Sequence, residues 1–583
     1  MPEPVPKFIH FTDFEKMNTK LARHNLPEKQ VAWMENLQPI GTNDLVAVPA
    51  ALAPITNVSG KTVTRMFDAN YGGVDYVIFF ATDGSATQIN AANGAQVSIA
   101  GPGTFSSTPD LTVYSSQRIL VMDPTSGYFT WDGTLGVKSG GISPNIQVTN
   151  GGTYAATPSV TISGGSGSGA TAHAVMGGSG ASQFVASVVL DNPGTGYKPG
   201  DTITVAFSPA STTAATARIW PQTTGTSIDV FAGRVWWINN RLLSFTGTNG
   251  YDDTNPANAA GSTTITDRDL SHNLQAVRNL NNYLYIFGDT SIRQIGSISV
   301  NASVTLFTTL TLASDIGTTY LMTIKSYNRL VLFANKNGVY GIFGATVQKI
   351  SDDLDGIFQL TDFALQMSAA LHDFHVQVTS GGSIHCYMIL LKYMDPVRGS
   401  RSILCVFQNN KWFVVSQGDG ILAVCSLPFL GTSQFEAFAS SGADVTQLLQ
   451  DTTTAVPILL QTSLTYHGAP ITAKRPIRAG VAVLSKTSQS FNMKILTEYG
   501  SLTYPLIVAN PVIWYNAAGQ VVQWQNASLQ NVYFIAGGFQ FPYTSVEGYG
   551  KFIGCDVSGT MVGFAINGVS IEYNDADLWG PPP

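Results

Sequence analysis

The sequence predicts a mainly β protein, with a β-propeller-like core, an inserted Gly-rich β module and a C-terminal β domain. Short runs of β-branched and aromatic residues alternate with Gly, Asn and Asp turns along most of the chain. This unit recurs roughly every 40 to 50 residues, which is about the length of one four-stranded blade. A Gly/Ser/Thr/Ala-rich stretch interrupts the series. A plain meander of antiparallel hairpins is the alternative interpretation.

The bulk composition limits the classes of partner. The chain has 583 residues, enough for several domains or for one large repetitive architecture. Charged residues make up 11% of it, less than half of the usual ~25%. The formal net charge is −7, from 30 basic and 37 acidic residues, so we do not expect a groove that grips nucleic acid through its phosphates.

The sequence gives no indication of a membrane span, a secretory signal or a cysteine metal site. No apolar run approaches the roughly 20 residues of a membrane span, so we expect no membrane segment. The start, "MPEPVPKFIHFTDFEKMN", lacks the basic flank and apolar core of a secretory signal, which favours synthesis in the cytosol. The four cysteines lack metal-site spacing and are predicted to be buried thiols: Cys386, Cys405, Cys425 and Cys555.

The N-terminal segment, residues 1–55, is predicted to contain a helix. In "NLPEKQVAWMENLQP", Pro27 suits a first helical turn, and Val31, Met34 and Leu37 follow with a spacing of three. We therefore expect one amphipathic helix ahead of the strands.

The remaining chain divides by its texture. Units such as "LTVYSSQRILVMDPTSGYFTWDG" and "LQAVRNLNNYLYIFGDTSIRQI" predict propeller blades over 56–140 and 223–456. From residue 457 to 583 the strands alternate in a different rhythm and predict a separate terminal β domain.

Residues 141–222 are predicted to form an inserted and internally duplicated β module. "VTNGGTYAATPSVTISGGSGSGATAHAV" and "VLDNPGTGYKPGDTITVAFSPASTTAATARI" share a Gly-rich turn with a tyrosine, Tyr154 or Tyr197, and a following β-branched run. Surface loops accept such insertions at small entropic cost. The Gly-rich run at 164–169 is not interpreted as a phosphate cradle, because a strand and not a helix is predicted after it.

Two segments partly match the patterns of metal sites. "SDDLDGIFQLTD" resembles a calcium loop in part, but Ser351 replaces its first Asp and a strand precedes it, so an acidic turn is predicted. His372 and His375 would point to opposite faces of a strand and chelate poorly. We predict no metal, no cofactor and no enzymatic activity, although a glycosidase needs only two suitably placed carboxylates.

Lys474, Arg475 and Arg478 form the densest basic cluster of the C-terminal part, in "AKRPIR". The plain interpretation is a solvated strand end. The functional interpretation, which we favour, is a contact within a ring or with a protein partner.

Three features together resemble a known family. They are the early "LPEKQVAWMENLQPIG", the series of blade-like units, and the closing "YGKFIGCDVSGTMVGFAINGVSIEYNDADLWG", most specifically at 557–573. This layout resembles the tail nozzle or tail hub proteins of short-tailed bacteriophages, also called packaged-DNA stabilization proteins. The chain departs from them after Asn36, where "NLQPIGTNDLVAVPAAL" lacks the family's Arg-Pro-Gly turn. The duplicated module is similar to small β modules inserted in phage tail and particle proteins.

The resemblance implies a structural virion protein. It implies a homo-hexameric ring below the portal-adaptor, or head-tail connector, that closes the DNA conduit and passes the genome during ejection. Tail fiber or spike proteins would be neighbours, and the chain would be made in the host bacterial cytoplasm and reside in the virion tail. The alternative is a virion-associated glycan-binding or glycan-hydrolysing tailspike-type protein. A monomeric cellular propeller that acts as an interaction scaffold is a third possibility.

Overall fold

The computed structural model describes most of the chain. It covers residues 6–40, 44–137, 141–142, 146–180, 183–197, 201–209, 213–219, 224–254, 256–265, 273–301, 304–375, 383–428, 434–468, 470–485, 487–508, 514–516, 521–522, 524–525, 531–532 and 540–576. Its helical elements are short: 3-10 turns at Arg23–Asn25, Pro256–Asn258, Leu321–Thr323 and Asp352–Leu354, and α1 at Asp355–Gln359. The protein is mainly β.

The N-terminal segment consists of strands, so the helix predicted there is wrong. The strands are β1 (Lys7–Phe11), β2 (Lys16–Met17), β3 (Gln30–Glu35), β4 (Leu37–Ile40), β5 (Asp44–Ala47) and β6 (Thr56–Asn57). Val31 and Met34 are buried, as the helix would have buried them, but they lie on an extended strand. Asn36, at a φ of 56°, separates β3 from β4. Pairing with strands far along the chain outweighs a local spacing that fits either structure.

Seven blades form the core of the described chain. Each consists of four antiparallel strands, and the first strand of each lies innermost. Blades 1 and 2 contain β7 (Val63–Tyr71), β8 (Val74–Ala81), β9 (Ala86–Asn90), β10 (Gln96–Ala100), β11 (Asp110–Tyr114), β12 (Arg118–Asp123), β13 (Gly127–Trp131) and β14 (Leu135–Val137). The inserted module follows, with β15 (Gln147–Asn150), β16 (Ser159–Gly164), β17 (Ser168–Gly177), β18 (Phe184–Thr195), β19 (Ile203–Ser208) and β20 (Thr216–Arg218).

Blades 3 to 7 follow the module. Blades 3 and 4 contain β21 (Ser227–Phe231), β22 (Arg234–Asn239), β23 (Leu242–Phe245), β24 (Gly261–Thr264), β25 (Leu274–Leu280), β26 (Tyr283–Gly288), β27 (Ile292–Asn301) and β28 (Val304–Ala313). Blades 5 and 6 contain β29 (Lys325–Tyr327), β30 (Leu330–Asn335), β31 (Gly338–Phe343), β32 (Thr346–Lys349), β33 (Ser368–His375), β34 (Ser383–Asp395), β35 (Gly399–Gln408) and β36 (Lys411–Val415). Blade 7 contains β37 (Ala423–Pro428), β38 (Phe435–Ser441) and β39 (Asp444–Gln447).

Local sequence explains the hairpins within blades. Asn281 and Asn282 join β25 to β26, and Asn409 and Asn410 join β35 to β36. All four have positive φ, between 47° and 65°. Asn tolerates this region, and two such residues make the tight turn whose twist matches two antiparallel strands.

The ring of blades closes with a strand from the opposite end of the propeller. The outer strand of blade 7 is β6, which precedes blade 1 in the chain, and it pairs antiparallel with β39. Asn57 donates its side-chain N–H to Asp444 at 2.5 Å. The innermost strands β37 and β7 then pack side by side, so blade 7 meets blade 1. Closure leaves the sheet series without a gap between its first and last blades.

The two ends of the chain together build a β-sandwich beside blade 6. Its C-terminal strands are β40 (Val456–Thr462), β41 (Ala473–Ser485), β42 (Gln489–Thr497), β43 (Gly500–Val508), β44 (Trp514–Tyr515), β45 (Val521–Val522), β46 (Trp524–Gln525), β47 (Asn531–Val532), β48 (Tyr543–Ser545), β49 (Ile553–Met561) and β50 (Phe564–Ala576). One sheet has the order β4-β5-β50-β41-β48, with β1 also on β50. The other continues blade 6 in the order β36-β3-β40-β49-β42-β43. The terminal domain is therefore shared by both ends.

The inserted module has its own small core. Strands β18, β17, β16 and β19 form one sheet, and β15 pairs with β20. Tyr154 and Tyr197, the tyrosines of the two duplicated halves, are both 2% exposed. Gly167 lies so close to Tyr197 that a Cβ there would be 2.4 Å from the ring. The Gly-rich run therefore makes room for a buried aromatic ring, and strand β17 follows it.

Candidate functional site

The innermost strands of blades 2, 3 and 4 are joined by a buried ion pair. Arg278 on β25 donates two hydrogen bonds to the Asp110 carboxylate on β11, each 2.8 Å long. The Ser227 hydroxyl on β21 donates to the same carboxylate at 2.6 Å, and the Ile228 N–H donates at 2.9 Å. Asp110 has no exposed surface, so these donors replace the water that burial removed. The pair ties three blades together at the axis.

The electrostatics of this cluster favour a charged Asp110. Burial acts to raise the pKa of Asp110, but Arg278, Ser227 and the Ile228 N–H outweigh it, and the pKa lies below its ordinary value. For Asp229, on β21, burial prevails and raises the pKa of its carboxyl. On β7, burial lowers the pKa of Arg65 to about 10. Acidic and basic groups thus share one desolvated space.

Side chains from blades that are not neighbours also meet across the axis. The Nζ of Lys325, on β29 of blade 5, lies 3.7 Å from the Oδ1 of Asp68, on β7 of blade 1. Blades 6 and 7 separate these blades on one side of the ring, and blades 2 to 4 separate them on the other. The centre of this propeller is therefore crossed by charged side chains.

The structure divides the predicted basic cluster. Lys474 is fully buried, and its Nζ donates to the carbonyls of Thr472 and Lys551 at 3.1 Å each. Burial lowers the pKa of Lys474. Arg475 and Arg478 are exposed on β41. The prediction of a three-residue contact is thus wrong for Lys474, because backbone carbonyls hold its ammonium group inside the sandwich.

Arg478 belongs to a row of exposed or partly exposed side chains on the outer sheet of the sandwich. Glu572 on β50 lies directly opposite Arg478, and Phe8 on β1 lies opposite Glu572. Phe8 is 49% exposed, and Tyr543 on the neighbouring β48 is 66% exposed. The Phe541 ring lies over a glycine of β41, Gly480, where a Cβ would be 2.6 Å from the ring. We call Phe8, Arg478, Phe541, Tyr543 and Glu572 the Arg–Tyr face.

The Arg–Tyr face has the composition of a protein contact. Arginine and tyrosine are the residue types over-represented among energetically dominant interface residues. Three large aromatic rings on one exposed sheet face also exceed the scattered apolar residues of an ordinary surface.

An open cavity is lined in part by residues that follow β48 in the chain. It has a volume of about 310 Å³ and lies between the β42–β43 turn and residues 547–549. Tyr499 and Tyr549 stack at its rim, with ring centroids 6.0 Å apart, and Tyr499 is 69% exposed. Glu547 is also part of the lining. Exposed ring faces beside a carboxylate suit a polar ligand with apolar faces, such as a sugar.

The two segments that partly match metal-site patterns make other contacts or lie in the core. In the acidic turn, Asp353 accepts two hydrogen bonds from Lys16 at 2.9 and 3.1 Å, and Asp355 accepts one from Lys349 at 2.5 Å. His372 is buried on β33, and the side chain of His375 lies outside the described part. Within the described residues, no group of three His, Cys, Asp or Glu side chains is placed to hold a metal ion.

The axial cluster is not among the sites predicted above, although the sequence contains a signal for it. Asp110, Asp229 and Arg278 each lie in the first strand of a blade-like unit. In a chain with 11% charged residues, charges in the first strands of three consecutive repeats are unexpected for largely buried strands. Such repetition indicates groups that meet where the repeats converge.

Comparisons with known proteins add little beyond the architecture. No family model and no curated protein matches the sequence. Among solved structures, the chain is similar to Raptor of Chaetomium thermophilum, at 9% identity and a TM-score of 0.34 over 69% of this chain and 30% of that one. It is similar to U3-55K at 8% identity and a TM-score of 0.33, over 69% and 99% of the two chains. For the WD40 repeats of RRP9 the identity is 9% and the TM-score 0.34, over 70% and 100%.

The strand pairing defines this chain as a β-propeller protein. At such low identities and TM-scores, the neighbours carry no argument about its function. In the described residues, no helix has both the length and the apolar character needed to cross a membrane.

Proposed function

We propose that the chain is a structural virion protein, a subunit of the nozzle or hub ring of a short bacteriophage tail. The observation that carries the proposal is that its two most family-like stretches, from opposite ends of the chain, meet in one sandwich. The early stretch supplies β3 to one sheet and β4 to the other. The closing stretch supplies β49 and β50, which lie inside the same two sheets. Two separate resemblances thus describe a single folded unit.

In this proposal the DNA conduit lies between subunits and not within one. Lys325 and Asp68 approach each other across the axis of the single propeller. A lumen surrounded by several copies, six by analogy with the family, would supply the passage. A chain with net charge −7 suits a lumen through which DNA slides, because phosphate contacts would add friction.

The Arg–Tyr face, with Arg475 at its margin, is the surface that we assign to ring or adaptor contacts. Such a contact buries Tyr and Arg side chains beside a cross-strand acid, Glu572. The portal-adaptor and the tail fiber or spike proteins are the proposed partners. No catalytic step is part of this function.

The test is the mass and symmetry of the purified full chain, alone and with portal–adaptor complexes. Native mass spectrometry and electron-microscopy class averages should reveal a ring with a central channel, either free or assembled on the adaptor. Arg478→Glu should weaken that assembly, whereas Arg329→Glu, on the β29–β30 turn of the propeller, should not. A chain that stays monomeric and ignores the adaptor would refute the nozzle assignment.

A glycan-binding tailspike-type function is the second candidate, favoured by the cavity at Tyr499 and Tyr549. Hydrolysis would need two carboxylates on either side of the scissile bond, whereas binding needs only ring faces and hydrogen-bond acceptors. Titration with chitohexaose and maltohexaose tests it, with Tyr499→Ala as the disabling variant and Tyr283→Ala in blade 4 as the control. Saturable binding that only Tyr499→Ala removes would favour this candidate.

A further inference from the structure

The hairpin formed by β27 and β28 presents an aliphatic surface to solvent. On β28, Val304 is 57% exposed, Leu306 49% and Leu310 56%. Thr308 lies between the two leucines on the same exposed side of β28. We call Val304, Leu306, Thr308 and Leu310 the hairpin face. Isolated exposed aliphatic residues are ordinary, but a contiguous row of them marks a contact surface or an aggregation hazard.

The opposite side of the hairpin is anchored to blade 3. The Phe307 ring lies 5.5 Å from the Trp236 ring and 5.8 Å from the Phe245 ring, centroid to centroid. The Thr305 hydroxyl donates to the carbonyl of Ala259 at 2.6 Å. These contacts hold the hairpin face in place, so a partner would meet a strand that is already ordered.

The outer edge of β28 is long and carries no protective charge or proline. β28 is the last strand of blade 4, and among the described strands only β27 pairs with it. Its ten residues, VTLFTTLTLA, contain no charge and no proline. Natural edge strands are usually short, charged, bulged or covered, because unpaired N–H and C=O groups recruit other strands.

We propose that β28 pairs antiparallel with β28 of a second copy of this chain, about a two-fold axis at Phe307. In this register Val304 lies opposite Leu310 of the partner subunit, and Leu306 lies opposite Thr308 of the partner subunit. Directly opposite residues of antiparallel strands share one face, so both hairpin faces join into one aliphatic strip.

The sequence of β28 favours a second copy over a different protein. The strand is complementary to itself in this register, since each exposed aliphatic residue meets another aliphatic residue or a threonine. A slip by one residue would place the hairpin face opposite side chains on the other side of the sheet. With no charge along the strand, no pair of like charges opposes the contact and no charge selects a foreign partner.

This contact does not depend on the nozzle proposal. A two-fold contact uses the same patch on both copies and closes with two, whereas a sixfold ring uses two different patches on each copy. The contact would therefore link two chains, or two rings, through surfaces other than those that build a ring.

The first experiment measures the self-association of the purified full chain by light scattering over a concentration series. Leu306→Lys places two charges at the contact, and we expect a Kd at least about tenfold higher, equivalent to about 1.4 kcal/mol. Val97→Lys is the matched control, because Val97 is also 49% exposed and lies on the outer strand of blade 1. The control should dimerise as the unaltered chain does.

The second experiment tests the register. Leu306→Cys and Thr308→Cys chains are mixed and oxidised with diamide, and covalent dimers are counted by denaturing mass spectrometry. Opposite Cα atoms in antiparallel strands lie about 4.5–5.5 Å apart, within the range that a disulfide spans. The four native cysteines are buried and contribute little background. We expect dimers from the mixture and few from either variant alone.

Each outcome decides the proposal. A chain that remains monomeric at high concentration, or Leu306→Lys that dimerises normally, would overturn it. Equal cross-linking of the single variants would overturn the register. The nozzle proposal is judged separately, by whether Leu306→Lys still forms rings or binds the adaptor.

Discussion

Blades 4 and 6 have the same strand order but are held in opposite ways. In blade 6 the outer strand β36 is almost wholly buried, and its sheet continues through β3 into the sandwich. In blade 4 the outer strand β28 ends its sheet and exposes every second side chain. Blade 4 is instead fixed at its inner strand, where Arg278 bonds to Asp110 of blade 2.

The difference between blades 4 and 6 shows that equivalent repeats can be stabilised by different contacts. Blade 6 depends on the edge that is farthest from the axis, and blade 4 depends on a charge pair at the axis. Damage at the axis should therefore loosen blade 4 first, and damage at β3 should loosen blade 6 first. Amide hydrogen exchange resolved by strand can distinguish the two, whereas a single unfolding midpoint of so large a chain cannot.

The largest effect is expected from Asp110→Asn, which removes the charge that balances buried Arg278. Breaking one partner of a buried pair costs about 3–5 kcal/mol, because the other charge stays desolvated. Exchange protection should fall by that amount in β11, β21 and β25. Asp132→Asn is the control, since its ion pair with Arg118 is partly exposed. Unchanged protection in Asp110→Asn would show that the axial pair does not anchor blade 4.

Glu35→Gln should have the next largest effect, on the outer anchor of blade 6. Glu35 is 2% exposed and accepts from Arg401 at 2.5 Å and from the Trp33 indole N–H at 2.9 Å. Asp395 and Asp419 also lie near Arg401 and still balance part of its charge in the variant. We therefore expect the local stability to fall by about 2–3 kcal/mol. Hydrogen exchange of β3 and β36 measures it, with Glu15→Gln as an exposed control. Loss of protection in blade 4 instead would contradict the comparison.

Phe307→Ala should release the β27–β28 hairpin from blade 3 without affecting blade 6. The partly buried ring contacts Trp236 and Phe245, and its removal should cost about 1–2 kcal/mol, less than a fully buried Phe. Faster exchange confined to residues 296–301 and 304–311 is the expected result. Leu306→Ala, on the exposed side, should leave that exchange nearly unchanged, and equal effects of both variants would argue against the anchoring.

A lower pH should produce the smallest effect, and part of that effect should arise at the axis. The pKa of Asp110 is lowered in the folded chain, so the unfolded chain binds its proton at a higher pH. The stabilisation is complete above the ordinary Asp pKa of about 3.9 and is lost as the pH falls towards the folded value. The loss cannot exceed about 1.4 kcal/mol per pH unit for one carboxylate. Asp110→Asn should abolish this share of the pH dependence in β25, and an unchanged slope would exclude Asp110 as its source.

The architecture could be predicted from the sequence, but the N-terminal element could not. Strand rhythm and turn residues are local, so the mainly β propeller-like core with an inserted Gly-rich module was predictable and is confirmed. Val31 and Met34 fit a helix or a strand equally well, and only pairing with β40 decides between them. No local pattern indicates that strand partner, which lies more than four hundred residues away in the chain.

The candidate site was predictable only in part, for the same reason. Exposed Arg475 and Arg478 follow from a charged strand end in the sequence. The burial of Lys474 depends on the Lys551 carbonyl, and the charge of Asp110 depends on Arg278, 168 residues away. Sequence shows which groups are present, but folding decides which of them lose their water.

The shared sandwich also has a consequence for the order in which the protein can form. β1 pairs with β50, and Lys7 reaches an acid 568 residues further along the chain. At about 5–20 residues per second, a ribosome needs roughly half a minute to two minutes to make that intervening length. Throughout this interval β1 must wait without β50, and for most of it β3 must wait without β36 and β40. The chain therefore needs either a chaperone for its early strands or a temporary pairing that the late strands displace.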